Sequence, residues 1–171
     1  MPLNLLGTLF LLCFCSLAAV AQPHWPQWRG PLGTGAAPQA DPPLIWSETQ
    51  NIRWKKAVPG RGHSTPIVWG DRVFLTAAVP YGEKQAPQPD RSPGSHDNLA
   101  VDQHHRFVAL AYDRHDGTLL WQRTLHQALP HEGGLYSGSL ASASPVTDGK
   151  RLYVFFGSYG LYCLTLDGEM L

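Results

Sequence analysis

An all-β fold built from a recurring four-stranded unit is what this sequence predicts, on three observations. After residue 21, no stretch of the 171-residue chain carries a sustained helical period of apolar residues. Short apolar runs alternate with Gly, Pro and Asp-Gly turns, in a chain with six Trp, six Tyr and six Phe, and such a composition suits short strands joined by turns. The order of runs and turns then repeats along the chain, as stacked supersecondary units do.

Residues 1–21 contain no charged side chain, and the apolar run from Leu5 ends in Ala19-Val20-Ala21. A small-x-small ending of this kind is what a signal peptidase accepts, so residues 1–21 are expected to be a signal peptide and Gln22 the first mature residue. The expected location is therefore the periplasm or the cell exterior. The alternative is a retained membrane anchor, because the run approaches the ~20 residues needed to span a bilayer. Leu12 and Phe14 precede Cys13 and Cys15, which argues against a lipobox. Cleavage leaves Cys163 as the one cysteine, so no internal disulfide is expected. Its apolar setting, Leu161-Tyr162-Cys163-Leu164, suggests a small buried hydrophobe. With 13 basic and 13 acidic residues, the formal charge gives no sign of a nucleic-acid partner.

Residues 22–50 are Pro-rich and read as an irregular leader, whose Trp25 and Trp28 are expected to cover apolar surface. Strands are expected at Asn51–Lys55, Thr65–Val68 and Arg72–Thr76, with a turn at Gly70-Asp71. Residues 79–105 read as a polar, Pro-rich loop insertion of a length that is usually functional or disordered. A strand at Arg106–Tyr112, a turn at Asp116-Gly117 and a strand at Thr118–Gln122 complete the unit.

The unit then recurs. Ser144-Pro145-Val146 matches Thr65-Pro66-Ile67, Asp148-Gly149 matches Gly70-Asp71, and Arg151–Phe155 matches Arg72–Thr76. Gly160–Leu166 matches the strand at 106–112, and Asp167-Gly168 matches Asp116-Gly117. A four-strand unit repeated in this way is the signature of a β-propeller blade. Trp121 lies four residues after Gly117, and the sequence ends at Leu171, three residues after Gly168. The expectation is that the chain is an N-terminal fragment, ending one residue before the matching tryptophan.

Asp116-Gly117-Thr118-Leu119-Leu120-Trp121, following an apolar strand and a Ser/Thr-Pro strand, resembles the pyrroloquinoline-quinone-type (PQQ-like) propeller repeat. Trp25-Pro26-Gln27-Trp28-Arg29-Gly30-Pro31, Gly60-Arg61-Gly62-His63-Ser64-Thr65-Pro66 and Asp71–Thr76 add to the likeness, which covers residues 25–171 apart from the insertion. Together they resemble secreted bacterial propellers related in fold to the outer-membrane assembly lipoprotein. The resemblance implies about seven or eight blades in the full protein, of which this chain holds roughly two. It also assigns the strand at Trp54 to the closing blade. In the repeat, Asp-Gly is expected to supply positive φ angles for a tight turn. The Trp that follows would bury its ring against the neighbouring blade. Trp54, Asp116, Gly117, Trp121, Asp167 and Gly168 are thus the expected structural repeat positions.

A catalytic constellation is not legible. Gly62-His63-Ser64-Thr65-Pro66 lacks the final Gly and the helix of a nucleophile elbow. Gly149-Lys150 lacks the rest of a phosphate loop, and Asp113–Gly117 lacks the acidic spacing of a calcium loop. The quinoprotein dehydrogenases use a vicinal cysteine pair and a calcium ion, and this chain has no adjacent cysteines. No metal or catalytic residue and no cofactor are expected from this segment. His104 and His105 are adjacent, so on a strand they would face opposite ways, and they read as solvated loop histidines. His63, Ser64, His131, Tyr136 and Ser139 lie upstream of the expected innermost strands, where loops rim a propeller's channel. They are the candidate binding face, against the plainer reading that they satisfy turn hydrogen bonds. The expectation is a non-catalytic binding or scaffold module for a protein or polysaccharide partner. The alternative is a quinoprotein oxidoreductase using pyrroloquinoline quinone with calcium.

Overall fold

The structure, a computed structural model, describes residues 24–87 and 99–171. Two antiparallel sheets account for its regular structure. The first contains β1 (Ile67–Trp69), β2 (Arg72–Tyr81), β3 (His104–Asp113) and β4 (Leu119–Ala128) in that order. The second contains β5 (Val146–Thr147), β6 (Arg151–Phe155) and β7 (Leu161–Thr165), with a one-turn 3₁₀ helix at Gly157–Tyr159. Each sheet is a simple up-and-down meander, so the chain is all-β and forms part of a propeller. An isolated bridge pairs Met170 with Leu164, adding a further edge contact beside β7.

The register sorts side chains into two cores. Phe74, Ala78, Phe107, Ala109 and Ala111 share one face of the first sheet and pack with Leu152, Val154, Phe156 and Leu164 of the second. Ala77, Val108, Leu110 and Tyr112 form the second cluster on the opposite face. β3 is buried on both faces, which explains the unbroken apolar run Phe107–Tyr112. Size alternates across the first face: Ala111 lies opposite both Phe74 and Trp121, and the two large rings approach with centroids 5.9 Å apart. Small residues on the central strand make room for rings on its neighbours.

The prolines fall where a missing donor costs least: Pro66 and Pro145 immediately precede β1 and β5. The sheets meet through the repeat tryptophan of β4. Trp121 is only 9% exposed, and Gly168 lies so close that a Cβ there would stand 2.8 Å from the indole. Trp54 meets Gly117 in the same way, at 2.6 Å.

Several expectations are corrected. Asn51–Lys55 is not a strand, although Trp54 holds the expected packing position; its alternation has no partner strand to pair with. The insertion is narrower than 79–105, because Val79–Tyr81 and His104–His105 continue the β2–β3 ladder through Tyr81↔His104. In the Asp-Gly turns only glycine takes a positive φ, +73° at Gly117 and +83° at Gly168. Asp116 instead receives the Thr118 amide on its carboxylate at 2.7 Å, an Asx turn. Gly149, with φ +88°, stands where Gly70, with φ +57°, stands in the first unit, so the two turns align glycine to glycine. Cys163 is half-buried and free, because it faces away from the packed side of β7.

The leader also pairs. Trp25 forms an antiparallel bridge with Val68 of β1, with N–H···O distances of 2.7 and 2.9 Å, and the Pro26 carbonyl accepts the Thr147 amide of β5 at 2.9 Å. His24 stacks on Trp69, 4.0 Å between centroids, and its Nδ1 accepts the Gly70 amide at 3.0 Å. Residues 24–26 thus strap the edge strands of both sheets together. Trp28, by contrast, is 64% exposed. The expected signal segment lies outside the described residues. Among the described residues, no helix is long and apolar enough to cross a membrane.

Candidate functional site

The rim of the two sheets is assembled by residues 60–65 running beside the segment 130–144. Gly60 and Gly62 permit this course. A Cβ at Gly60 would stand 2.3 Å from the Ala78 carbonyl oxygen, and one at Gly62 would stand 2.3 Å from that of Thr76. Glycine alone lets the backbone come so near β2. Arg61 is then bridged to Ala78 by two hydrogen bonds of 2.9 Å.

Of the expected face, His63 and Ser139 meet directly. The His63 amide donates to the Ala141 carbonyl at 3.0 Å and to Ser139 Oγ at 3.1 Å. Ser64 turns inward: its Oγ accepts the Thr76 amide at 3.1 Å and donates to the Thr76 carbonyl at 3.3 Å. The Thr65 amide donates to Ser144 Oγ at 2.8 Å, and Thr76 Oγ1 donates to the Ala143 carbonyl at 3.3 Å. These bonds sew the approach to β1 onto the approach to β5, so Ser64 and Ser139 serve the backbone.

His131 is held by the second sheet's 3₁₀ turn. Its amide donates to the Tyr159 hydroxyl at 3.2 Å, and its Nε2 lies 3.1 Å from Ser158 Oγ. Glu132 lies 3.9 Å from that same nitrogen. A Ser-His-acid relay needs the carboxylate on the other ring nitrogen, so this is not one. Tyr159 is itself packed between His126, stacked at 4.7 Å, and Phe107 at 4.6 Å. Tyr136 contributes its carbonyl, which accepts a hydrogen bond from Arg61 Nη2, while its ring points out to solvent.

Three clefts open along this rim. One of about 360 Å³ is bordered by Arg61, His63 and Ser64, and one of about 270 Å³ by His131, Ser139 and Ser158. A third, of about 400 Å³, lies between Arg61, the arm 99–103 and Leu140. Sequence reasoning missed most of the residues of this third cleft, including Arg61, Lys84, His105 and Glu132. The surviving signal was the Gly-Arg-Gly setting of Arg61. His105 was read as a loop residue, but it lies half-buried on β3. Burial lowers its pKa from the ordinary 6.5, against the opposing pull of the Gln103 carbonyl and Asp102.

The described residues do not fit a quinone and calcium site of the dehydrogenase kind. Cys163 lies on β7 with no neighbouring cysteine in sequence. Among the described residues, no three His, Cys, Asp or Glu side chains converge to hold a metal.

Paired antiparallel meanders, locked together by a tryptophan on an Asp-Gly turn, define a repeat protein of the PQQ-like propeller class. A family model described as outer membrane protein assembly factor BamB matches residues 40–171, and the chain belongs to that family. The family is one of the bacterial envelope. No curated protein matches the chain.

Proposed function

We propose that the chain is an exported, non-catalytic binding and scaffold module, acting in the periplasm or outside the cell on a protein partner. The observation that carries this reading is the bonding of the rim. The hydroxyls of Ser139 and Ser144 and the amides of His63 and Thr65 are spent on joining the approaches to the two sheets, and the hydroxyl of Ser64 on holding its own segment to Thr76 of β2. Groups fixed in that way hold a surface in shape rather than transfer protons or attack a substrate. The family description, an assembly factor, supports the same reading.

The test uses the whole protein with every blade it carries. N-terminal sequencing of exported material is expected to begin at Gln22. With added pyrroloquinoline quinone and calcium, no oxidation of alcohols or sugars and no calorimetric binding of the quinone are expected. Turnover in that assay would sink the reading in favour of a quinoprotein oxidoreductase.

A further inference from the structure

The cleft beside Arg61 and Leu140 carries two unlike charges, and no described residue lining it is paired with either. Arg61 spends one N–H on the Tyr136 carbonyl and has no carboxylate partner among the described residues. Among the described residues, Glu132 approaches only His131, at 3.9 Å, beyond hydrogen-bond reach. The other charged pair in the cleft is already matched, Lys84 to Asp102 at 3.2 Å. His105 turns Nδ1 to the Gln103 carbonyl at 3.0 Å, so that nitrogen carries the proton and Nε2 is left as an acceptor. Burial lowers the ring's pKa from the ordinary 6.5, which favours the neutral form.

The remaining walls are largely apolar, from Pro80, Leu99, Val101, Pro130 and Leu140, with Gln103 and Ser139 as the uncharged polar side chains. Among the described residues, no Trp, Tyr or Phe lines the cleft, so they offer no aromatic platform for a sugar ring to stack on. Its volume of about 400 Å³ lies in the range of small-ligand sites. An occupant that satisfies all of this has a carboxylate, a separate cationic or N–H group and aliphatic side chains between them.

We propose that this cleft binds a short zwitterionic peptide, its carboxylate on the Arg61 guanidinium, its ammonium toward Glu132 and its aliphatic side chains against Leu99, Val101 and Leu140. The guanidinium fork suits a carboxylate because it offers two parallel N–H donors. The proposal rests on the binding reading above and names the ligand of the same rim.

The experiment titrates the whole protein by calorimetry with leucyl-leucine, with N-acetyl-leucyl-leucine amide, which carries neither charge, and with cellotriose. Saturable binding of leucyl-leucine is expected, at least tenfold tighter than the blocked peptide and than cellotriose. Arg61→Gln and Glu132→Gln should each weaken leucyl-leucine at least fivefold and leave the blocked peptide unchanged, with the melting temperature unaltered. Leu140→Asn should weaken both peptides. Absent binding, equal binding of free and blocked peptide, or preference for cellotriose overturns the proposal. Quinone-dependent oxidation by the same preparation would overturn the non-catalytic reading, independently of the peptide result.

Discussion

Trp121 and Gly168 form the lock between the two sheets: the indole covers the glycine, and Nε1 donates to the adjacent Leu166 carbonyl at 3.0 Å. Trp54 repeats the arrangement on Gly117, with Nε1 donating to the Arg114 carbonyl at 2.9 Å. The lock ties each tryptophan to the Asp-Gly turn of the following unit. Both halves of the motif are therefore one device, and the glycine serves twice, for its positive φ and for the space above it.

Gly168→Ala places a methyl against the indole and strains a left-handed backbone. The expected cost is about 2–4 kcal/mol, and Trp121→Ala is expected to cost about 3–5 kcal/mol. The ion pair Arg72–Asp167 also joins the sheets, at 2.6 Å, but its side chains are 33% and 74% exposed. Arg72→Ala should therefore cost at most about 1 kcal/mol. Urea unfolding of the whole protein ranks the three. Gly168→Ala at or below Arg72→Ala would show that the lock is not a principal contact.

His24→Ala removes both the ring stacked on Trp69 and the acceptor for the Gly70 amide. A loss of about 1–2 kcal/mol is expected. The local effect is larger, because the strap at Trp25 and Pro26 frays from its end. Limited proteolysis should cut between residues 24 and 35 sooner in the variant, with the β-sheets intact. Unchanged cleavage would mean that Trp25 anchors the strap alone.

The second sheet leaves an apolar face open. Val146, Phe155 and Leu161 are 43%, 48% and 68% exposed, and Phe155 and Leu161 are cross-strand partners. Residues 22–171 expressed alone should self-associate through this face, as exposed apolar patches do. Phe155→Lys together with Leu161→Lys should shift the material toward monomer in sedimentation, at little cost in stability. Aggregation unaffected by the pair would place the adhesive surface elsewhere.

The repeat was legible because its parts are local: Asp116-Gly117 and Trp121 lie within six positions, and Ser144-Pro145-Val146 repeats Thr65-Pro66-Ile67. What failed was also local. Asn51–Lys55 alternates as a strand does, yet pairing depends on a neighbour that five residues cannot specify. Val79–Tyr81 and His104–His105 looked like loop because Pro80 and two histidines mask a ladder that the apolar part of β2 and β3 extends. The rim was half readable. His63 and Ser139 were singled out, and they touch. The cleft at Arg61 was not found, because it gathers residues from 61 to 140 that share no spacing.

His105 makes one pH dependence separable from the rest. Burial holds its pKa below the ordinary 6.5, so the folded state resists protonation. As pH falls through 6.5 the unfolded chain takes up its proton first, and stability drops until the lower folded value is passed. Asp102, whose charge favours the proton, and His104, whose charge opposes it, are the charged neighbours, and burial outweighs both. The carboxylates act lower. Asp116 and Asp148 accept backbone amides that depress their pKa below 3.8, so their contribution is present above that value and disappears only in stronger acid. Between pH 7.5 and 5, urea unfolding of the whole protein should therefore show a loss of stability that His105→Asn reduces, since the amide cannot titrate. Parallel curves for the two proteins across that window would assign the loss to other histidines.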